Sequence, residues 1–468
     1  WGDDSYIESA LTKLKIPPTG VVFTNTKDPA RTAAVALAAG RGQLLSFIPL
    51  EWGNSNDILG QSQTSELLQT IDAELRSTGL NYSNLGDTVD AITLCQTMPS
   101  RVTFASSDNN PVALSDVIGR DENGKRFAWT GWIFGPRARS TYLAMCSLFL
   151  ERDQYWFCNT YPSSGAWEMY SFDNVQQTMS KYGIDTEVMD GTLANLQESE
   201  SGGVTSDVMY FTTKGNADFL EMSDERTSPM WLPILDTPSA LFFLHSWSLK
   251  TPAISTSVGG VWLSRGVYAY VGSSHEPMLT AFVPPILMLR KTMSHIPFLV
   301  ASRWGEGEHA LSKPWRVNTI GDPLMLCPPV GAVKRTVKPA KKLSGYINLT
   351  NVAKEQMQQA VDSKNSEMFT RAIKTLVLIG QDDVSVGLWQ VAANKTVIDS
   401  STARAALPAL YRQQDNDGFL WAFSLLEKPT QIERDMLWQL IGTQQDAPLQ
   451  VLIDNLRKPY ELDDLLLI

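Results

Sequence analysis

VTSDVMYFTTKGNADF (204–219), SALFFLHSWSL (239–249) and GVYAYVGSSHEP (266–277) are the segments on which the fold of this 468-residue chain is decided. Each is a strand-sized apolar run that breaks on a small-residue or polar tip: Lys214-Gly215, His245-Ser246 and Gly272-Ser273-Ser274-His275. Short apolar runs without alternation are what a strand buried on both faces requires, as in a parallel sheet covered by helices. In an open parallel sheet such tips gather at the carboxyl edge, where ligands and catalytic groups sit.

Outward from this core, strand and helix patterns alternate. TGVVFTN (19–25), QLLSFIP (43–49) and DAITLC (90–95) have strand character. Asp28-Pro29 supplies an N-cap and an early proline for a helix over 30–39, which Gly40 closes. SELLQTIDAELRSTG (65–79) sets Leu68, Ile71 and Leu75 on one helical face. This β-α-β-α-β order predicts an N-terminal α/β domain over 1–135, ending in the polar loops SSDNNP (106–111) and RDENGKR (120–126). A second α/β domain, 136–330, opens with the helix RARSTYLAMCSLFLERD (137–153) and the strand QYWFCNTYP (154–162). The helix SFDNVQQTMSKYG (171–183), the strand IDTEVMDG (184–191) and the three opening segments follow. GGVWLSRG (259–266) and PPILMLRKTM (284–293) are helices, and VNTIGDPL (317–324) is the closing strand. Residues 331–345 are basic and contain proline, as a linker does. Over 346–468 seven helical segments separated by polar breaks resemble a stack of paired helices of the HEAT or tetratricopeptide kind, which binds proteins or packs on its own neighbours.

Composition bounds the function. Hydrophobic residues make up 43% and charged residues 19%, as in a folded protein of two or three domains. With 39 Lys and Arg against 50 Asp and Glu the formal net charge is −11, which argues against a general affinity for nucleic acid. No run approaches the roughly 20 apolar residues that span a bilayer. The chain opens on Trp1 rather than Met, as a cleaved export signal would leave it, although a truncated piece would look the same. On that basis the expected location is outside the cytoplasm of a bacterium, in the periplasm or cell envelope. Cys95, Cys146, Cys158 and Cys327 lie far apart, with neither a disulfide framework nor a zinc-ribbon spacing.

The order of elements over 136–325 resembles the caspase-like fold of the gingipain family (clan CD) of cysteine peptidases, and is most similar to uncharacterised bacterial relatives of those enzymes. In that family one strand ends in His-Gly and the next in the nucleophilic Cys; a short helix, a strand with a small-residue tip and a Gly-Asp-Pro follow. Here DVMYFTTKGNADF places Lys214-Gly215 where His-Gly belongs, and SALFFLHSWSL places Ser246, with His245 before it, at or next to the Cys position. GGVWLSRGVYAYVGSSHEP and NTIGDPL match the later parts. Thiol catalysis needs a thiolate beside an imidazole that shuttles the proton, and neither group stands at its matched position. The resemblance therefore implies a degenerate peptidase.

Other chemistries leave fainter traces. Ser246 with Lys214 would form a serine–lysine pair if the lysine were desolvated and neutral. Ser273, Ser274, His275 and Glu276 form a second polar cluster, which His245 could face across the sheet edge as part of a Ser-His-Glu arrangement. His245, His275, His295 and His309 show none of the HxH, HxxxH or HExxH spacings of metal sites. AAGRGQ (38–43) lacks the spacing of a phosphate-binding loop, and its glycines suit a helix C-cap. Neither a cofactor nor a metal is expected. Trp129, Trp132, Trp156, Trp167 and Trp247 stand around strand ends and loops, where either a binding surface or a core uses them. The resulting expectation is a non-catalytic scaffold or assembly subunit that binds other protein subunits, including further copies of itself. The alternatives are a hydrolase using Ser246 with Lys214 or His275, and an α/β protein that binds a small ligand at the sheet edge.

Overall fold

Ten of the apolar runs pair edge to edge into a single sheet. The strands are β1 (Gly20–Thr24), β2 (Leu44–Phe47), β3 (Ala91–Cys95), β4 (Trp129–Ile133), β5 (Gln154–Asn159), β6 (Asp185–Asp190), β7 (Val208–Thr212), β8 (Ser239–Leu244), β9 (Val267–Ser273) and β10 (Val317–Ile320). The computed structural model describes residues 9, 11–15, 17–49, 52–104, 110–172, 175–305, 313–327, 348–442, 444 and 446–456. The expected linker at 331–345, and His309, lie outside the described residues.

The strand order is β2-β1-β3-β4-β10-β9-β8-β7-β5-β6. All neighbours are parallel except β9 and β10, which run antiparallel with Tyr270 opposite Ile320 and Ser273 opposite Val317. One reversal has a large geometric effect. It splits the sheet into two parallel halves of opposite direction. The carboxyl ends of β5 to β9 share one edge, and those of β1 to β4 and β10 share the other. Lys214, Ser246 and Ser274 therefore meet at one edge, while Gly321-Asp322-Pro323 lies at the far one. There Asp322 accepts from the Arg41 guanidinium at 2.7 Å and acts as a structural anchor.

Burial explains the strand composition. Every residue of β1, β3, β7, β8 and β9 is buried, so apolar side chains are needed on both faces. Tyr210, Phe211, Phe242 and Phe243 interlock across β7 and β8, each worth about 2–3 kcal/mol of apolar burial. The helices α1 (Arg31–Arg41), α2 (Gln61–Ser77), α3 (Arg137–Phe149), α4 (Val258–Ser264) and α5 (Pro285–Met293) accompany the strands. Gly40 does not end α1, as the sequence suggests. The left-handed cap is Gly42 at φ 65°, two residues on. Gly40 instead lets α1 approach α3, because a Cβ there would lie 2.7 Å from Leu148.

Strands before and after residue 135 belong to this one sheet, and β4 joins β10 directly. The boundary expected at 135–136 thus falls inside a continuous structure. Part of the polar stretch before it folds as a small sheet of Ile58–Leu59, Arg101–Thr103 and Pro111–Ala113.

The chain divides into two compact units: Trp1–Asn195 with Thr205–Glu225 and Leu235–Lys334, and Leu196–Val204 with Arg226–Ile234 and Arg335–Ile468. The second unit is helical and not contiguous in sequence. Its helices α6 (Leu349–Asp362), α7 (Ser366–Leu378), α8 (Asp382–Asn394), α9 (Ser400–Arg412), α10 (Asn416–Ser424), α11 (Gln431–Ile441) and α12 (Leu449–Asp454) fall on the seven segments expected from hydrophobic spacing. Asn348, Asn365, Asp399, Asp415 and Thr430 cap five of them through side-chain oxygens. Arg412 on α9 is buried between Asp382 at 2.5 Å and Glu200 at 3.0 Å, which ties 196–204 into the stack. Among the described residues no helix is long and apolar enough to cross a membrane.

Candidate functional site

The carboxyl edge of β5, β7, β8 and β9 encloses a cavity of about 310 Å³, at the small end of the range typical of ligand pockets. Five residues singled out from sequence line it: Trp167, Lys214, Gly215, Ser246 and Glu276. Tyr161, Glu221 and Phe282 are among the others. His245, Ser273, Ser274 and His275 do not line it.

Lys214 and Gly215 follow β7 and open a short hairpin, in which Lys214 pairs with Glu221 and Gly215 with Leu220. The hairpin turns the chain back over the sheet edge, which is why Lys214 and Glu221 both reach the cavity. Gly215 is needed there. It has φ 146°, and a Cβ would meet the Phe219 carbonyl oxygen at 2.3 Å and His245 Nε2 at 2.5 Å. The Lys214 ammonium lies 5.2 Å over the Trp167 ring, whose centroid is 4.2 Å from that of Tyr161.

His245 is packed into the core. Its ring is fully buried, stacks on Phe243 at 4.7 Å, and brings Nε2 to 3.2 Å from the Phe219 carbonyl. A carbonyl only accepts, so Nε2 carries a proton. Burial pushes its pKa down to about 4, against the opposing pull of the Phe219 and Ser246 main chain.

The second polar cluster is committed to main-chain bonds. Buried Ser273 donates its hydroxyl to the His245 carbonyl at 2.7 Å and accepts from Trp247 N at 2.9 Å. Buried Ser274 donates its amide to the Arg316 carbonyl at 2.9 Å, and its hydroxyl points at the same oxygen at 3.4 Å. Nδ1 of His275 accepts from the Glu276 amide at 2.7 Å, and the ring lies 4.0 Å from that of Trp247. Burial, with Arg316, Arg101 and Lys250 nearby, pushes the His275 pKa down to about 4. A Ser-His-Glu relay would need these groups bonded to one another; the two serine hydroxyls and His275 Nδ1 are bonded to backbone instead.

Two carboxylates distinguish the cavity. Glu221 and Glu276 form no ion pair with a described residue, and both act with burial to raise the Tyr161 phenol far above its ordinary pKa. All three residues line the one cavity. Arg316 is near Glu276, held by donating to its carbonyl at 2.5 Å. The lining carries two carboxylates against one ammonium. Tyr161 and Glu221 were not singled out from sequence: Glu221 reaches the cavity only through its hairpin pairing with Lys214, and only the position of Tyr161 two residues past β5 hints at an edge location.

All four cysteines are buried and unpaired, and none lines the cavity. Burial pushes Cys146 and Cys327 up to about 11 and raises Cys95 and Cys158 well above the ordinary thiol value, the reverse of what a nucleophilic thiol needs. Among the described residues no group of three or more His, Cys, Asp and Glu side chains is placed to hold a metal ion. No protein-family model matches the chain, and no curated protein is significantly similar to it.

Proposed function

We propose that the chain is a non-catalytic protein built on the frame of a gingipain-like, caspase-like cysteine peptidase, and that it serves as a scaffold or assembly subunit. The observation that carries this reading is the content of the sheet edge. At the two strand ends where the resemblance calls for His-Gly and Cys stand Lys214-Gly215 and His245-Ser246, and the one imidazole there is buried behind Gly215, away from the cavity. The order β7, β8, α4, β9, β10 supports the family reading, because it repeats the order of the elements that suggested it.

A partner segment would seat in the 310 Å³ cavity. Glu221 and Glu276 line it together with Tyr161 and Trp167, and suit a basic side chain, for which both carboxylate and aromatic face are attractive. The helical unit adds a second surface of the HEAT or tetratricopeptide kind, a reading supported by consecutive helices packing on one another. Titration of the full chain with fluorescein-labelled Lys- or Arg-centred peptides, followed by anisotropy, tests the cavity. Binding that is tighter than for Asp-centred peptides and at least tenfold weaker in Glu221→Gln/Glu276→Gln supports the assignment. Equal binding of both peptide types contradicts it.

The hydrolase alternative draws on the presence of Ser246 and Lys214 in one cavity. The Lys214–Trp167 contact weighs against it, since an indole face engages the ammonium while a serine–lysine pair needs the neutral amine. Covalent labelling by a fluorophosphonate that disappears in Ser246→Ala would establish this alternative in place of the scaffold.

A further inference from the structure

On the other side of Trp315 from this cavity lies a buried cluster of like charges. Asp116 follows the strand Pro111–Ala113 in a single helical turn, and Arg120 and Arg126 face each other across the hairpin that comes next. Arg303 reaches in from the segment after Phe298–Ala301. All four residues are at most 7% exposed. Asp116 Oδ1 receives Arg126 Nη2 at 2.5 Å, Arg303 Nη1 at 3.2 Å and Arg120 Nη2 at 3.4 Å, and its Oδ2 receives the Trp315 amide at 2.6 Å.

Most remaining donors have protein acceptors. Arg120 donates to the Asp116 and Gly124 carbonyls, both at 2.7 Å. Arg303 donates to the Val317 carbonyl at 2.5 Å, to Ser115 Oγ at 2.9 Å and to Thr319 Oγ1 at 3.3 Å. Arg126 differs. Its Nη1 is buried and has no hydrogen-bond partner among the described residues. Burial, Arg120 and Arg303 together push this guanidinium down to about 9 in spite of Asp116. Among the described carboxylates, Asp116 is the one that Arg120, Arg126 and Arg303 share.

A cavity of about 10 Å³ opens among Arg120, Arg126, Arg303, Trp304 and Trp315. We propose that this cavity is a binding site for a monatomic anion, chloride in the cell, held by the unpartnered N–H of Arg126. Size favours a small ion: the space open to the centre of a water-sized sphere is only about 10 Å³. Charge selects an anion over water. A buried guanidinium needs compensation, and a neutral water would fill the space without supplying it. The ion would also stiffen the segment 315–316, whose Trp315 Nε1 and Arg316 Nη1 hold the Pro277 and Glu276 carbonyls.

Thermal unfolding of the full chain in sodium gluconate, with chloride or bromide replacing gluconate at constant ionic strength, tests the site. A saturable rise in Tm with either halide is expected in wild type and absent in Arg126→Gln. Crystals soaked in bromide should show an anomalous peak in contact with Arg126 Nη1, a readout that stands if the variant fails to fold. Identical Tm values in all three salts, a halide effect that persists in Arg126→Gln, or an ordered water without anomalous signal at Nη1 would each overturn the proposal.

Discussion

Gly215 and His245 constrain each other. The glycine has no Cβ because the imidazole and the Phe219 carbonyl fill the space where one would be. Gly215→Ala should therefore cost about 3 kcal/mol, combining the strained φ with overpacking, as measured by denaturant unfolding. The same burial makes stability pH-dependent. The folded-state pKa of His245 is about 4, below the ordinary value of about 6.5. Between those values the unfolded chain takes up a proton that the folded chain does not. Stability is thus complete above about pH 6.5 and is lost as pH falls toward 4, by about 3 kcal/mol from this residue. His275 acts in the same direction. Unfolding midpoints measured from pH 7 to pH 4.5 should fall in wild type and flatten in His245→Gln, which retains an amide donor for Phe219. An equal slope in both would assign the effect elsewhere.

At the scale of elements, strands were legible because burial on both faces leaves continuous apolar runs such as ALFFL (240–244), which admit few other readings. Direction was not legible. VNTI (317–320) has the same composition whichever way it runs, and its antiparallel pairing with β9 depends on chain path rather than side chains. That single reversal sends the Gly-Asp-Pro tip to the opposite edge from Ser246. Helix ends were misplaced for a local reason, since Gly40 and Gly42 are both plausible caps and only the packing of Gly40 on Leu148 separates them. The candidate site was half legible. Lys214, Gly215, Ser246 and Glu276 follow strand ends and were found there, whereas Tyr161 comes from another loop and Glu221 from the return strand of the Lys214 hairpin, so both meet them only in the folded chain. Within the helical unit, Arg412→Met leaves Asp382 and Glu200 buried without their cation. It should destabilise that unit by about 3–5 kcal/mol, read as an earlier unfolding transition in calorimetry.

For the whole molecule, ten strands in one sheet explain why the chain holds a large core on an acidic, lightly charged composition. An assembly subunit predicts a native mass above that of the 51.8 kDa chain, alone or with a co-purifying protein. Native mass spectrometry should show it, and a monomer under all conditions would weaken the scaffold reading while leaving peptide capture intact. The proposed non-catalytic role requires that the carboxyl edge of β5 to β9 carry no reactive nucleophile. Intact-mass analysis after incubation with a fluorophosphonate and, separately, with a thiol-directed peptidyl acyloxymethyl ketone addresses it most directly. The account predicts an unmodified chain in both cases. A stoichiometric adduct on native protein that is lost in Ser246→Ala, or in a variant of one of the four cysteines, would contradict it.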